Sequence, residues 1–191
     1  MLTLLSPLHA IAARRGDGLR PELAGLLNRG AKALRTASGE RKMSREQDNK
    51  ALVGRWFEGF WGNPWNPQII DELAAPNMLL QYSLHAPRRG REDVRNFMLD
   101  FRAAFPDLKF WGAADLIAEG DYVVGRWEGG GTHTGPAFSD FLTGSLPAAS
   151  GRKMHFTGTT VLRVENGKIA EEVGLDDGVT ALTQLAILKA A

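Results

Sequence analysis

The sequence contains no cysteine among its 191 residues. This absence excludes disulfides, thiolate nucleophiles and thiolate metal sites, and it fits a reducing compartment, so we expect a cytoplasmic protein. Only four histidines are present, and no two have the spacing of a metal-ligand motif. We therefore expect no metal and no other cofactor. No apolar run approaches the ~20 residues of a membrane-spanning helix, so we expect no membrane partner.

An excess of charge of one sign is also lacking, since the net charge is +1. The charge is unevenly placed, because residues 1–45 carry +6 and the remaining residues carry −5. The body therefore has no sustained basic patch, and we expect no nucleic-acid partner. We interpret residues 1–43 as a basic leader, poorly ordered or weakly helical, with Met43 as the more natural start. Residues 44–191 are interpreted as the folded domain.

The nucleophile motif Gly-x-Ser-x-Gly and a phosphate-binding loop are both missing. The glycine run 129–131 is not followed by the Lys-Ser/Thr pair that a phosphate loop requires. These absences leave nucleophilic hydrolysis and nucleotide chemistry without support. The chemistry that remains is proton transfer by a carboxylate in a pocket, acting on an apolar organic compound.

Three helical segments are predicted at the start of the domain. Ser44 and Gln47 form a capping-box pattern, and apolar residues at helical spacing continue to Trp61. A short helix follows around Ile69. A third helix is predicted from Arg91 until Pro106 ends it.

Strand-like segments fill the rest of the chain, with a loop of about 18 residues at 134–151 that is predicted to be a lid or disordered. Helices followed by antiparallel strands indicate an α+β fold. We expect a curved, mostly antiparallel sheet wrapped around the N-terminal helices, forming a cone with an internal pocket. The predicted strands are 78–85, 108–119, 122–133, 153–165 and 168–175.

The strand after the Asn166-Gly167 turn supplies the leading catalytic candidate. Asn-Gly is the strongest short-range hairpin signal, because a type I′ turn needs positive φ at both central positions. Alternation along the strand places residues 169, 173 and 175 on an apolar face and residues 168, 172 and 174 on the other. The same alternation puts Asp177 on the apolar face and Asp176 outside.

An inward Asp177 would have a raised pKa and could exchange protons near neutral pH, which predicts a general acid or base. The alternative is that Asp177 is only the N-cap of a last helix that starts at Gly178. His133 is the second catalytic candidate, because it opens the long loop and is placed to reach a pocket mouth. Its alternative role is to hydrogen-bond loop backbone. The predicted substrate pocket consists of Trp56, Phe60, Tyr82, Met98, Phe101 and Trp127.

Several segments resemble the SnoaL-like polyketide cyclase family in order and spacing. They include residues 51–58, 90–97, 105–110, 115–127, 131–135 and 163–172. The resemblance covers residues 47–185 and implies the cone-shaped fold of the nuclear-transport-factor and ketosteroid-isomerase superfamily. It also implies an aspartate acting as general acid/base in an intramolecular aldol closure, and the matching position is Asp177. Val173 replaces a family tryptophan, Gln81-Tyr82 stand where a histidine is common, and the loop 136–151 is longer than usual.

The resemblance implies a small apolar organic ligand and a homodimer formed through the open sheet face. Tyr82, His133 and Trp56 remain alternative oxyanion donors. A steroid-isomerase-like site needs a tyrosine and a second buried acid, and no such acid is evident. A carboxylate pair with an arginine between them, as an epoxide hydrolase of this type would need, is not evident either. The remaining alternative is a non-catalytic small-molecule-binding or dimerisation module.

Overall fold

The structure is a computed structural model and describes residues 44–189, so the predicted leader lies outside the described residues. Helix α1 spans Arg45–Trp56 and begins at Ser44. The Ser44 hydroxyl accepts from the Gln47 backbone N–H at 3.3 Å, and the Gln47 side chain accepts from the Ser44 N–H at 3.2 Å. The capping box is therefore confirmed. A π-helical turn, Phe57–Trp61, continues α1 into the interior.

Three further helices complete the helical part of the described chain. Helix α2 is Ile69–Leu73, helix α3 is Arg91–Ala104 and helix α4 is Gly178–Gln184. The apolar positions of α3 recur every three or four residues, so one face of the helix is buried against the sheet. None of the helices within residues 44–189 has the length and apolar character needed to cross a bilayer.

The main sheet has seven strands in the order β2-β1-β9-β8-β5-β3, and β4 also pairs with β5. Its pairs are antiparallel except for β1 and β9, which are parallel. The α+β fold class and the helices-first order are therefore confirmed, with a mixed sheet. The strands are β1 Ala74–Gln81, β2 Arg88–Arg89, β3 Lys109–Gly112, β4 Ile117–Glu119, β5 Tyr122–Thr132, β8 Lys153–Glu165 and β9 Lys168–Asp176.

The segment 134–151 contains a β-hairpin instead of a structureless loop. Strand β6, Phe138–Phe141, pairs with β7, Gly144–Leu146. Phe138, Phe141 and Leu146 are all buried, because the hairpin packs its apolar side chains into the core. The prediction of a disordered segment is therefore wrong for the hairpin, since Phe138, Phe141 and Leu146 belong to the hydrophobic core.

A β-bulge in β9 reverses the predicted direction of its side chains. Asn166 and Gly167 have φ values of 51° and 69°, which confirms the tight turn. Val164 then pairs with Ile169, but Arg163 pairs with Glu171, so Ala170 is an extra residue. From this point the even-numbered residues of β9 face the interior. The predicted inward direction of Asp177 is therefore wrong, because the bulge shifts the alternation by one residue.

Candidate functional site

A cavity with mainly aromatic walls opens on the inner face of the main sheet. Its empty volume is about 520 Å³, which includes space continuous with solvent. Eight of the fourteen lining residues are Phe, Trp or Tyr, and three others are ionisable side chains. A cavity of this kind suits an apolar ligand held by a few polar groups. The lining residues with a polar atom in the side chain are Trp61, Tyr82, His85, Arg88, Trp127 and Asp176.

Asp176 is the carboxylate on the cavity wall. It lies at the end of β9, is half-buried, and accepts a hydrogen bond from the Ser83 hydroxyl. Burial raises the pKa of Asp176, while the Ser83 hydrogen bond and the nearby His85 partly oppose that rise. A carboxylate with a raised pKa beside an apolar cavity is suited to accept and return a proton.

Two glycines make room for aromatic rings beside Asp176. Asp176 pairs with Gly158 on β8, and Gly158 pairs with Trp127 on β5. A Cβ at Gly158 would lie 2.2 Å from the Trp127 ring, and a Cβ at Gly174 would lie 2.2 Å from the Tyr82 ring. Each ring therefore occupies the space of a missing side chain, which is why these strand positions need glycine.

We expect Gly174→Ala to lower the free energy of unfolding by about 1–3 kcal/mol, because the added methyl group displaces the Tyr82 ring. The matched control is Gly54→Ala in α1, where a Cβ meets no atom within 4 Å. That change should stabilise the protein by up to ~1 kcal/mol, since alanine favours the helix. Urea unfolding measures both. If the two variants have equal stability, Tyr82 does not depend on Gly174 for its place.

Glu172 is a second inward carboxylate, and it is fully buried. It accepts hydrogen bonds from Trp56 Nε1 at 2.6 Å, Trp61 Nε1 at 2.7 Å and the Tyr82 hydroxyl at 2.6 Å. Burial raises the pKa of Glu172, and the three hydrogen bonds oppose that rise. The sequence interpretation placed residue 172 outside and found no second buried acid. Both statements are wrong, because the bulge at Ala170 turns Glu172 toward the interior.

The direction of the Tyr82 proton depends on Glu172. The Tyr82 oxygen is 2.8 Å from the Thr160 hydroxyl, and the Thr160 oxygen accepts from Trp127 Nε1 at 2.7 Å. When Glu172 is ionised, Tyr82 donates its only proton to that carboxylate. Burial and the negative charge of Glu172 raise the pKa of Tyr82 well above its ordinary value. Tyr82 therefore lines the cavity, but its hydroxyl proton is already donated to Glu172.

Strand β6 brings a third carboxylate to the cavity region. Asp140 lies 3.1 Å from His85 Nδ1 and also contacts the Arg88 guanidinium. Burial opposes ionisation, but the hydrogen bonds from His85 and Arg88 leave the pKa of Asp140 below its ordinary value. Arg88 also lies 3.7 Å from Asp93, so an arginine between two carboxylates exists here, contrary to the sequence interpretation.

The structure places the two predicted catalytic residues away from the cavity wall. Asp177 is exposed and accepts from the Thr180 N–H at 3.2 Å, so it caps α4. This hydrogen bond lowers the pKa of Asp177. His133 is fully buried, with Nδ1 2.9 Å from the Ser150 hydroxyl and Nε2 2.8 Å from the Pro136 carbonyl. Both residues have the alternative role in the structure: Asp177 caps a helix, and His133 makes hydrogen bonds within the loop.

The predicted pocket residues divide into two groups. Tyr82, Phe101 and Trp127 line the cavity. The other three are fully buried in the core and do not line it; they are Trp56, Phe60 and Met98. Residues 44–189 contain no cluster of three or more potential metal-ligating side chains.

Sequence reasoning missed Asp176, Glu172 and His85 as inward groups. The sequence signal for the first two is the set Glu172-Gly174-Asp176, in which two acids flank a glycine at strand spacing. Such a set predicts a polar inner face only if the position of the bulge is known. The bulge itself has no local signature, because Ala170 is an ordinary strand residue here.

Solved structures with the same fold include proteins from several bacteria. A protein from Jannaschia sp. CCS1, named for the SnoaL-like polyketide cyclases, has 22% identity and a TM-score of 0.63, covering 78% of this chain and 98% of its own. TsrD from Streptomyces laurentii has 24% identity and a TM-score of 0.60, covering 77% of this chain and all of its own.

A ketosteroid-isomerase-like protein from Catenulispora acidiphila, solved in complex with trimethylamine, has 17% identity and a TM-score of 0.55 and covers 71% of this chain and 92% of its own. These identities show the ketosteroid-isomerase-like fold and not a shared activity. The curated proteins include no significant sequence match to this chain. The sequence model of the SnoaL-like polyketide cyclases matches residues 51–185. The chain therefore belongs to the SnoaL-like polyketide cyclase family.

Proposed function

We propose that this protein is an acid–base catalyst of the cyclase or isomerase type that acts on a small apolar carbonyl compound. The observation that carries the proposal is Asp176, a half-buried carboxylate with a raised pKa on the wall of an aromatic cavity. This assignment replaces Asp177, which the family resemblance favours, with its neighbour in the chain. His133 has no part in it, because both of its ring nitrogens have hydrogen-bond partners in the loop.

In the proposed reaction, ionised Asp176 takes a proton from the carbon next to a carbonyl group, and the C–H electron pair forms an enolate. The enolate carbon attacks a second carbonyl of the same folded molecule, so a C–C bond forms and an alkoxide appears. Asp176 then returns its proton to the alkoxide. An enclosed cavity favours this closure, because holding both ends of one molecule together avoids the entropy cost of a bimolecular encounter.

The developing oxyanion needs a hydrogen-bond donor. Arg88 lines the cavity, and its Nε is buried without a hydrogen-bond partner in the described part of the chain. We therefore assign the donor role to Arg88, whose other nitrogens are held by Asp140 and Asp93. Tyr82 is less suited, because ionised Glu172 already accepts its proton. Trp56 is excluded as a donor for the same reason, since its Nε1 donates to Glu172.

The proposal can be tested without the natural substrate, by exchange of the α-protons of 2-tetralone in D₂O followed by proton NMR. We expect the protein to accelerate exchange above the buffer rate. Exchange should increase as pH rises, because Asp176 acts as a base only when ionised, and the midpoint should lie above the ordinary value of 3.8. Exchange that stays at the buffer rate across this pH range would contradict the proposal.

A non-catalytic binding module is the second candidate. It is favoured by the position of Asp177, since the acid that matches the family pattern caps a helix outside the cavity. The trimethylamine complex of the Catenulispora protein indicates that this fold accepts small molecules. Binding of 2-tetralone, followed by tryptophan fluorescence, together with exchange at the buffer rate would favour this candidate.

A homodimer and a cytoplasmic location stay predictions. The outer face of the sheet exposes Val161 by 42%, Val173 by 36% and Leu175 by 79%. Neighbouring exposed apolar residues of this kind are compatible with a subunit interface, and light scattering in solution measures the mass directly.

A further inference from the structure

We propose that His85, oriented by Asp140, is a hydrogen-bond acceptor in the cavity. This acceptor selects ligands that carry a hydroxyl group in addition to the carbonyl. The proposal rests on the proposed function in taking the cavity as the ligand site. It does not require turnover, because it concerns which ligands bind.

The tautomer of His85 depends on its contact with Asp140. Asp140 faces Nδ1 at 3.1 Å and is also held by Arg88, which keeps the carboxylate ionised. An ionised carboxylate accepts hydrogen bonds and donates none. In the neutral imidazole the ring proton must therefore be on Nδ1, and Nε2 carries a lone pair.

His85 Nε2 is the ring nitrogen that remains for a ligand. His85 lines the cavity, and its Nε2 has no hydrogen-bond partner within residues 44–189. The ring is held on its other sides by Phe97, Phe101 and Phe141, with centroid distances of 4.9, 5.2 and 5.2 Å. None of these rings is a hydrogen-bonding partner for Nε2 of the strength of a hydroxyl. A ligand hydroxyl that reaches Nε2 would gain a hydrogen bond that the empty cavity lacks.

His133 is also buried, but it differs from His85 in its hydrogen bonds. Its Nε2 donates to the Pro136 carbonyl, and its Nδ1 faces the Ser150 hydroxyl and N–H. Both nitrogens of His133 are therefore occupied, and its proton is on Nε2. The two buried histidines of residues 44–189 are thus opposite tautomers, and of these two only His85 lines the cavity and has a ring nitrogen without a partner.

The combination defines a ligand class. Arg88 offers a donor for a carbonyl oxygen, His85 offers an acceptor for a hydroxyl, and aromatic rings make up most of the remaining wall. An aromatic or polycyclic hydroxyketone supplies all three features. The dyad depends on the β6–β7 hairpin, because Asp140 belongs to β6.

The test uses tryptophan fluorescence titration to compare 2-tetralone with its four derivatives that carry one hydroxyl group on the aromatic ring. We expect at least one derivative to bind the unmodified protein about tenfold more tightly than 2-tetralone, as one hydrogen bond in a desolvated site allows. His85→Phe should remove that gain, so that within this variant the hydroxy derivatives bind no more tightly than 2-tetralone does, because the phenyl ring has no acceptor for the hydroxyl. A gain that survives in His85→Phe, or equal binding of all five ketones to the unmodified protein, would overturn the proposal.

A second measurement tests the dyad when no ligand is present. Nitrogen-15 NMR of histidine-labelled protein reports which ring nitrogen holds the proton, and His85→Phe assigns the resonance. We expect protonated Nδ1 for His85 and protonated Nε2 for His133. Asp140→Asn should change the His85 tautomer and reduce hydroxyketone selectivity, with His133 unaffected as an internal control. Protonated Nε2 at His85 in the unmodified protein would overturn the assignment. Failure of α-proton exchange alone contradicts the proposed function and leaves this ligand selectivity intact.

Discussion

Glu172→Ala is expected to lower the free energy of unfolding at neutral pH by at least about 3 kcal/mol. The substitution leaves three buried donors without their acceptor, namely Trp56 Nε1, Trp61 Nε1 and the Tyr82 hydroxyl. Each buried donor that loses its partner costs about 1–3 kcal/mol, and the lost side chain also leaves a cavity. Relief of the desolvation of Glu172 offsets part of this cost. Urea unfolding followed by fluorescence measures the change.

The matched control is Glu171→Ala, at the neighbouring position of the same strand. Glu171 faces outward and pairs with Arg163 at 3.0 Å, and its side chain is 41% exposed. A surface ion pair of this kind contributes less than about 1 kcal/mol. If Glu172→Ala were no more destabilising than Glu171→Ala, Glu172 would not be the buried acceptor of the structure.

The same carboxylate should give the protein a specific pH dependence. Burial raises the pKa of Glu172 above its ordinary value of 4.5, so the folded state binds its proton more tightly than the unfolded state does. The stability linked to that proton is present below the ordinary pKa and is lost as pH rises through the raised value. The difference in unfolding free energy between the unmodified protein and Glu172→Gln should therefore shrink from acidic to neutral pH. A difference that grows from acidic to neutral pH would show that the pKa of Glu172 is lowered in the folded state, and this would contradict the prediction.

Asp176→Asn is expected to lower the rate of 2-tetralone exchange by about 100-fold or more, because the amide keeps the shape of the side chain but cannot accept the proton. The fold should persist, since an amide oxygen still accepts from the Ser83 hydroxyl. Unfolding free energy and tryptophan fluorescence measure that persistence. Full activity in a folded Asp176→Asn protein would remove this residue from the mechanism.

The local patterns that predicted the fold depend on neighbours in the sequence. The capping box at Ser44, the apolar spacing of α3 and the Asn166-Gly167 turn each require contacts within a few residues. Such contacts act in the same way in any globular protein, so these elements were predictable.

The site was less predictable, because its geometry depends on pairing between distant residues. The bulge at Ala170 arises where β9 pairs with β8, and it decides which of Asp176 and Asp177 faces the cavity. A shift of one residue reverses the face of every side chain that follows. The resemblance to the family led to the same residue, Asp177, since the family pattern gives a position in the sequence and not a direction in the strand.

The dyad of His85 and Asp140 illustrates the same limit. The two residues are 55 positions apart, and the hairpin that carries Asp140 lies in a segment rich in loop-forming residues. Its strands are short and are stabilised by burying Phe138 and Phe141 in the core. Tertiary packing of this kind overrides the local preference for a loop.

The most direct test is a side-by-side comparison of 2-tetralone exchange by the unmodified protein, Asp176→Asn and Asp177→Asn. We predict that Asp177→Asn keeps the full rate, because asparagine caps a helix about as well as aspartate and the side chain lies outside the cavity. Asp176→Asn should lose most of the rate. Retained activity in Asp176→Asn together with loss in Asp177→Asn would contradict the assignment and favour the direction that the uninterrupted strand pattern predicts.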